Sequence, residues 1–144
     1  MHTTVKSVVG AKDIRGLVEQ LFLKHKDIDC VFGLSDLDLL EQNFPEYQFS
    51  SANVSRMAAD IRSCLVYTAS NGPILKASDD RNHRESRFLP SDQRPFPGDF
   101  TIFGDTVLIL FFDKNTQPTA VSIQSIQLAQ QFKTLFDFCW ELAK

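Results

Sequence analysis

The chain has 144 residues, with 15 lysines and arginines against 18 aspartates and glutamates, and a formal net charge of −3 at pH 7. This length fits a single domain, 1–144, with one sizeable core, and the acidic balance argues against direct binding of nucleic acid. No uncharged stretch approaches the roughly eighteen residues of a membrane span, and the first residues lack the apolar core of a signal peptide. We therefore expect a cytoplasmic protein without membrane contact.

The first half of the chain alternates helical and strand patterns. The predicted elements are a helix over 14–22, a strand over 28–34, a helix ahead of Pro45, a helix over about 52–62 and a strand over 64–68. Ser35 is the expected N-cap of the second helix, because serine side chains accept hydrogen bonds from the first free backbone N–H groups. The polar run 78–85 is expected to be an exposed turn or a short helix.

The second half of the chain contains the clearest strand signals. Two strands, 100–103 and 106–112, are joined by Gly104 and Asp105, and a glycine can supply the positive φ that a tight hairpin needs. The second of them is apolar on both alternating faces, which predicts a central strand covered on both sides. A turn over 113–117, a strand over 119–123 and a final helix from about Ser125 follow. The pattern predicts an α/β domain with a mixed sheet and helices on both faces.

Several segments, taken in order, resemble a known family. They are residues 84–90 (RESRFLP) and 95–105 (PFPGDFTIFGD), then 66–76 upstream, and 132–136 with Trp140 downstream. Their order and spacing resemble the effector-sensing domain of TrmB-type transcriptional regulators, a degenerate relative of the phospholipase D fold. The resemblance covers about residues 9–143, and it implies a phospholipase D-like fold.

The resemblance also implies a function. In that family an N-terminal winged helix binds DNA, a helical linker dimerises, and this domain binds a small effector, often a sugar. The sequence enters directly at the sensor domain, near residues 8–14, without a winged helix. The implied function is a non-catalytic, small-molecule-sensing domain whose partners are an effector, such as a sugar or an anionic metabolite, and either a second copy or a separate DNA-binding subunit.

Enzymes of the phospholipase D type use the pattern H-x-K-x(4)-D, in which the histidine is the nucleophile. None of the three histidines fits this pattern, and His25 is expected at a solvated helix end. If Asp105 is the acidic residue of the motif, Gly98 and Phe100 stand where the histidine and the lysine belong. We therefore expect no enzyme, no catalytic residue, no cofactor and no metal site.

Two other functions remain open. One is a divergent phospholipase D-like phosphodiesterase or hydrolase. The other is a protein-interaction or dimerisation module, which an exposed apolar patch containing Phe96 or Phe44 would favour, since the chain has 13 phenylalanines.

The candidate ligand-binding residues lie after a predicted strand end and in the basic cluster. They are Ser70, Asn71, Lys76, Arg84 and Arg87. Open α/β sheets bind ligands beyond the carboxyl ends of their strands, and arginine can hold an anionic group with paired hydrogen bonds. Arg87 is the strongest candidate, because it precedes the apolar residues Phe88 and Leu89. The alternative is a surface network in which Arg81, Arg84, Asp80 and Glu85 compensate one another.

The three cysteines, Cys30, Cys64 and Cys139, each sit among apolar neighbours. Free cysteine is one of the residues most often buried, so this placement favours reduced thiols that pack in the core. A disulfide framework or a zinc site is not indicated by such wide spacing.

Overall fold

The computed structural model describes residues 3–90, 96–112 and 116–144, and of residues 46–50 it describes the backbone alone. Pro95 and most of the turn predicted at 113–117 therefore lie outside the described residues. The strands are β1 Thr4–Val9, β2 Cys30–Asp36, β3 Arg62–Thr68, β4 Arg84–Phe88, β5 Asp99–Phe103, β6 Thr106–Phe111 and β7 Thr119–Gln124. The helices are α1 Ala11–Lys24, α2 Leu37–Asn43, α3 Glu46–Ala58 and α4 Ile126–Leu142, with short 3-10 helices at Lys76–Ser78 and Asp80–Asn82.

All seven strands of the described chain form one mixed sheet in the order β1-β7-β6-β5-β2-β3-β4. The three strands β2, β3 and β4 run parallel, while every other neighbouring pair is antiparallel. The carboxyl ends of β2 and β3 meet where Asp36 lies opposite Thr68. The predicted mixed sheet is confirmed.

Helices cover both faces of the sheet, as predicted. On one face α1 packs its apolar stripe, which includes Ile14 and Phe22, against Phe103 and Leu108. On the other face α4 buries Phe136 against Val66 and its neighbours. Ser125 caps α4 by accepting a hydrogen bond from the N–H of Leu128 at 3.2 Å, which fixes where the helix begins. Two apolar cores therefore hold one α/β domain together.

The sequence pattern missed β1, misplaced one cap and placed the third helix too far along the chain, because the helix predicted over about 52–62 spans Glu46–Ala58. β1 lies at the sheet edge, and Val5 and Val9 stay largely exposed, so the strand lacks the alternation of buried and exposed positions that reveals most strands. Asp36, not Ser35, caps α2 by accepting from the N–H groups of Asp38 and Leu39. Ser35 remains in β2 with its side chain turned into the protein.

The hairpin between β5 and β6 follows the prediction, with Gly104 at φ 59°. Just before β5, a Cβ added at Gly98 would lie 2.8 Å from the carbonyl oxygen of Leu110, so the backbone approaches too closely for a larger residue. None of the helices among the described residues has the length and apolar character needed to span a membrane.

Candidate functional site

A cavity of about 210 Å³ lies between the sheet and the helices α1, α2 and α3. Most of its wall is apolar, and the polar exceptions come from both sides: Asn53 and Arg56 from α3, and Ser63, Asp99 and Thr101 from the sheet. Pockets with apolar walls and a few converging polar groups are the usual form of small-molecule sites. This cavity is the candidate functional site.

Asp99, the first residue of β5, is the acidic group of the cavity and is 6% exposed. Ser35 on the neighbouring strand donates a hydrogen bond to its Oδ2 atom, and Thr101 donates a long one to Oδ1 at 3.5 Å. Burial raises the pKa of Asp99 to about 6, although both hydroxyl groups favour the charged form. Asp99 therefore changes charge close to neutral pH.

Arg56, in the last turn of α3, is the basic group of the cavity and is 3% exposed. Its guanidinium donates to the carbonyl oxygens of Ile61, Asn82 and His83 and to the side-chain oxygen of Asn53, all within 3.3 Å. Among the described residues no carboxylate forms an ion pair with it. Burial lowers the pKa of Arg56, and the positive charges of two nearby arginines add to this effect.

The candidate residues after β3 lie away from this cavity. Ser70 is exposed, and its N–H and hydroxyl both donate to the carboxylate of Asp38, at 2.9 and 3.1 Å. Asn71 and Lys76 are also exposed, the latter on a 3-10 helix. Just before this loop, the buried hydroxyl of Thr68 has no hydrogen-bond partner among the described residues. A ligand-binding role for Ser70, Asn71 and Lys76 stays a prediction.

Arg84 is held by its own neighbourhood. Its Nε atom lies 2.7 Å from Oδ1 of Asp79, and the two side chains are only 8% and 12% exposed. Its Nη2 atom also donates to the carbonyl oxygen of Leu75 and to the hydroxyl of Ser78. The expected alternative partners, Asp80 and Glu85, are exposed. Arg84, which the sequence suggested as a binding residue for an anionic ligand, is therefore already paired with Asp79.

Arg87 packs against the end of α4. Its guanidinium lies 4.1 Å from the ring centroid of Trp140, and Nη1 donates to the carbonyl oxygen of the same residue at 2.9 Å. Both interactions suit a cation near a helix C-terminus. No contact of the described residues joins Arg87 to Ser70, and a ligand-binding role for Arg87 also stays a prediction.

The expectation that His25 lies at a solvated helix end is wrong. His25 is 8% exposed, its Nε2 atom lies 3.3 Å from the hydroxyl of Thr106, and burial lowers its pKa.

The two phenylalanines that would favour an interaction module if exposed differ in burial. Phe44 is buried, with its ring 5.9 Å from that of Phe112, and Phe96 is half-buried and packs edge-on against Phe100 at the same distance.

The comparisons with known proteins concern the fold. No family model matches the sequence, and no curated protein matches it significantly. The structure resembles NucT from Helicobacter pylori, with a TM-score of 0.69 and 10% identity over 99% of this chain and 98% of that one. It also resembles Nuc from Salmonella typhimurium, a phospholipase D family member, with a TM-score of 0.68 and 17% identity over 99% and 97% of the two chains. The chain has a phospholipase D-like fold.

A third match is TrmBL2, an archaeal chromatin protein whose structure shows a novel mode of DNA binding. The TM-score is 0.63 and the identity is 18%, and the match covers 98% of this chain. This chain spans 54% of the length of TrmBL2. The phospholipase D-like fold that the sequence predicted is confirmed.

The prediction that this chain is not an enzyme is contradicted by these matches. Two of the structures share its fold from end to end, and one of them is a member of the phospholipase D family. The prediction depended on Gly98 and Phe100 as the motif positions, and Phe100 is indeed buried at 3% exposure in the core. The absence of a histidine and a lysine at positions 98 and 100 does not exclude a catalytic site elsewhere in the same fold.

The sequence did not point to the two ionisable groups of the cavity, Asp99 and Arg56. A signal for Asp99 was present, because an acidic residue begins a strand whose other positions are almost entirely apolar. Arg56 carried no such signal, since a basic residue in the last turn of a helix is ordinary.

Proposed function

We propose that this domain binds a small carboxylic acid with an apolar body in the cavity between the sheet and α1, α2 and α3. One observation carries the proposal: Arg56 lines the cavity, is almost fully buried, and has no carboxylate partner among the described residues. A buried cation without an anionic partner is costly, and a bound anion would relieve that cost. Binding of such a ligand corresponds to the effector-sensing role that the resemblance to TrmB-type regulators implies.

The residues that line the cavity favour a carboxylic acid with an apolar body over a sugar. Each hydroxyl group of a buried sugar needs a hydrogen-bond partner, and the cavity offers five polar side chains, of which Arg56 and Asp99 already have partners of their own. An apolar body instead suits Leu40, Phe44 and Leu110, which line the same space. The volume of about 210 Å³ is smaller than the roughly 300 Å³ of ordinary ligand pockets, which limits the ligand to a small molecule.

Asp99 makes the proposed binding depend on pH. Above a pH of about 6 its carboxylate carries a negative charge in the same cavity and repels an anion. Below that pH the protonated carboxyl group is neutral and can donate a hydrogen bond to the ligand. Binding of a carboxylate should therefore strengthen as the pH falls from 7 to 5.

A thermal-shift screen tests the proposal. Small aromatic and branched aliphatic carboxylates should raise the melting temperature at pH 5.5, whereas the amides of the same acids and free sugars should not. Ala52→Leu extends a side chain into the cavity and should abolish the shift, while Ala58→Leu on the exposed side of the same helix should retain it. A shift with sugars alone, or one that Ala52→Leu leaves unchanged, would place the ligand elsewhere.

A second candidate function is hydrolysis of a phosphodiester. It is favoured by the end-to-end match to Nuc and NucT, which this chain covers to 97% and 98% of their length. In the cavity Asp99 would accept the proton of the attacking oxygen, and the charge of Arg56 would favour the phosphate. Both groups line the same cavity, as such a reaction requires.

An assay with bis(p-nitrophenyl) phosphate and with single- and double-stranded DNA tests this second function. Turnover that is lost in Asp99→Asn and retained in Asp80→Asn would support it, because Asp80 is an exposed carboxylate of the same charge. Turnover that persists in Asp99→Asn would contradict the assignment of the chemistry to this cavity.

A further inference from the structure

Two of the three cysteines lie next to each other on the face of the sheet that α4 covers. Cys30 begins β2 and Cys64 is the third residue of β3, and their Sγ atoms are 3.6 Å apart. In the parallel pairing Cys30 lies opposite Arg62, two residues before Cys64, so both side chains point to the same face. Both residues are partly exposed, which differs from the fully packed thiols that the sequence led us to expect.

The two thiols differ in acidity. The Cys30 thiol donates a hydrogen bond to the Sγ of Cys64, and this bond lowers the pKa of Cys64 to about 7. The same bond, with burial, raises the pKa of Cys30. Other charges act on Cys64 from three elements: Arg62 on β3 and Lys133 on α4 favour its thiolate, and Glu85 on β4 opposes it.

A surface pocket gives access to Cys30, and Cys64 beside it is itself partly exposed. Cys30, Phe32 and Lys133 line a pocket of about 330 Å³ between the sheet and the start of α4. The ammonium group of Lys133 lies 4.4 Å from the ring centroid of Phe32 and 2.6 Å from Oδ1 of Asp137, and Asp105 also lines the pocket, so the positive charge there is largely offset. Reactive cysteines need an accessible, stabilised thiolate, and here the hydrogen bond from Cys30 supplies the stabilisation.

We propose that Cys30 and Cys64 are a peroxide-reactive thiol pair, in which Cys64 is the attacking sulfur and Cys30 the resolving sulfur. The Cys64 thiolate attacks one oxygen of a hydroperoxide, the O–O bond breaks, and an alcohol or water leaves after taking up a proton. Cys64 becomes a sulfenic acid. The Cys30 sulfur then attacks the sulfenic sulfur, the S–S bond forms, and the hydroxide leaves as water with the Cys30 proton. Two thiols and one hydroperoxide thus give one disulfide, one alcohol and one water.

The separation of the sulfurs permits the second step. A disulfide needs about 2.05 Å between sulfurs, so the Sγ atoms must approach each other from 3.6 Å. Because the two cysteines lie on a diagonal of the sheet and not directly opposite each other, closure also requires a small shift of the two strands. Cys139 provides an internal comparison. It lies on α4, burial raises its pKa, and no sulfur contact is formed by it among the described residues. It should react slowly with peroxide and should not join the disulfide.

Mass spectrometry of the intact full-length chain tests the proposal. One equivalent of hydrogen peroxide at pH 7 should remove two hydrogens from the wild-type protein and from Cys139→Ser, and a thiol reductant should restore them. Cys30→Ser should instead hold a sulfenic acid that dimedone labels at Cys64, and Cys64→Ser should do neither. Cys30→Ala and Cys64→Ala, checked by thermal melting, serve if a serine variant does not fold.

Alkylation with iodoacetamide adds a readout that does not depend on oxidation. Cys64 should react roughly tenfold faster than Cys139 at pH 7, because about half of its thiol is ionised there. In Cys30→Ala this advantage should shrink, since no group remains at position 30 to donate a hydrogen bond to the thiolate. Three results would overturn the proposal. They are addition of oxygen without loss of hydrogen, a disulfide that joins Cys139 or two chains, and dimedone labelling at Cys30.

Discussion

Asp79 offers the sharpest test of how the 3-10 segment before β4 is stabilised. Its Oδ1 accepts from Nε of Arg84 at 2.7 Å, and its Oδ2 accepts from both the N–H and the hydroxyl of Ser86, at 2.9 and 2.8 Å. Asp79→Asn retains the shape of the side chain but removes the charge. It also turns an N–H donor toward Ser86, or alternatively toward Arg84, where an acceptor is needed.

The expected magnitude follows from burial. Loss of one partner of a buried ion pair costs about 3 to 5 kcal/mol, and Asp79 and Arg84, at 12% and 8% side-chain exposure, approach that case. Arg84 keeps two other acceptors, which favours the lower end of the range. For a domain of this length, about 3 kcal/mol corresponds to a fall of about 10 °C in the melting temperature.

Urea denaturation and thermal melting measure the effect, with Asp80→Asn as the control. Asp80 is the next residue along the chain and is exposed, so its variant should melt within about 2 °C of the wild type. In a double-mutant cycle, Asp79→Asn combined with Arg84→Gln should cost clearly less than the sum of the single changes. Equal melting temperatures for Asp79→Asn and Asp80→Asn would refute the reasoning and leave Arg84 available for a ligand.

Three further predictions concern other buried polar contacts. Burial raises the pKa of Asp99 to about 6, so the folded state binds its proton more tightly than the unfolded state. The wild type should therefore lose about 2 kcal/mol relative to Asp99→Asn between pH 4 and pH 6.5 in urea titrations, with little further change above that window. Arg87→Ala should destabilise the protein by about 2 kcal/mol through loss of the contacts with Trp140, whereas Arg81→Ala should have no measurable effect on melting. Tyr67→Phe removes a hydroxyl that accepts a backbone N–H at 3.1 Å, and should cost about 1 kcal/mol in the same melts.

The parts of the fold that the sequence predicted are those with a clear apolar pattern, on one face of a helix or on both faces of a central strand. α1 and α4 carry continuous buried stripes, and β6 is apolar on both faces because the sheet is covered on both sides. The edge strand β1 carried no such pattern, because its partner β7 hydrogen-bonds its backbone without burying its side chains. β1 does carry four β-branched residues, Thr4, Val5, Val8 and Val9, but without a buried face this composition alone did not mark it as a strand.

The candidate site was predicted less well, for a different physical reason. Sequence reasoning selected exposed or charged residues near strand ends, such as Ser70 and Arg84, and the structure shows their polar groups bonded to Asp38 and Asp79. A local sequence cannot show whether a basic side chain finds a carboxylate within the fold. For Arg84 the partner is Asp79, which lies on the other side of the turn before β4.

Arg56 differs from Arg84 and Arg87 in what compensates its positive charge. Arg84 has Asp79, and Arg87 has a helix C-terminus and an aromatic ring. Arg56 has four neutral oxygens, which satisfy its hydrogen bonds but supply no negative charge, and it lines a cavity whose own carboxyl group is neutral below a pH of about 6. Hydrogen bonding and charge compensation are distinct requirements of a buried cation. Because the protein meets the first and not the second, the missing charge is the feature that a ligand of this cavity would supply.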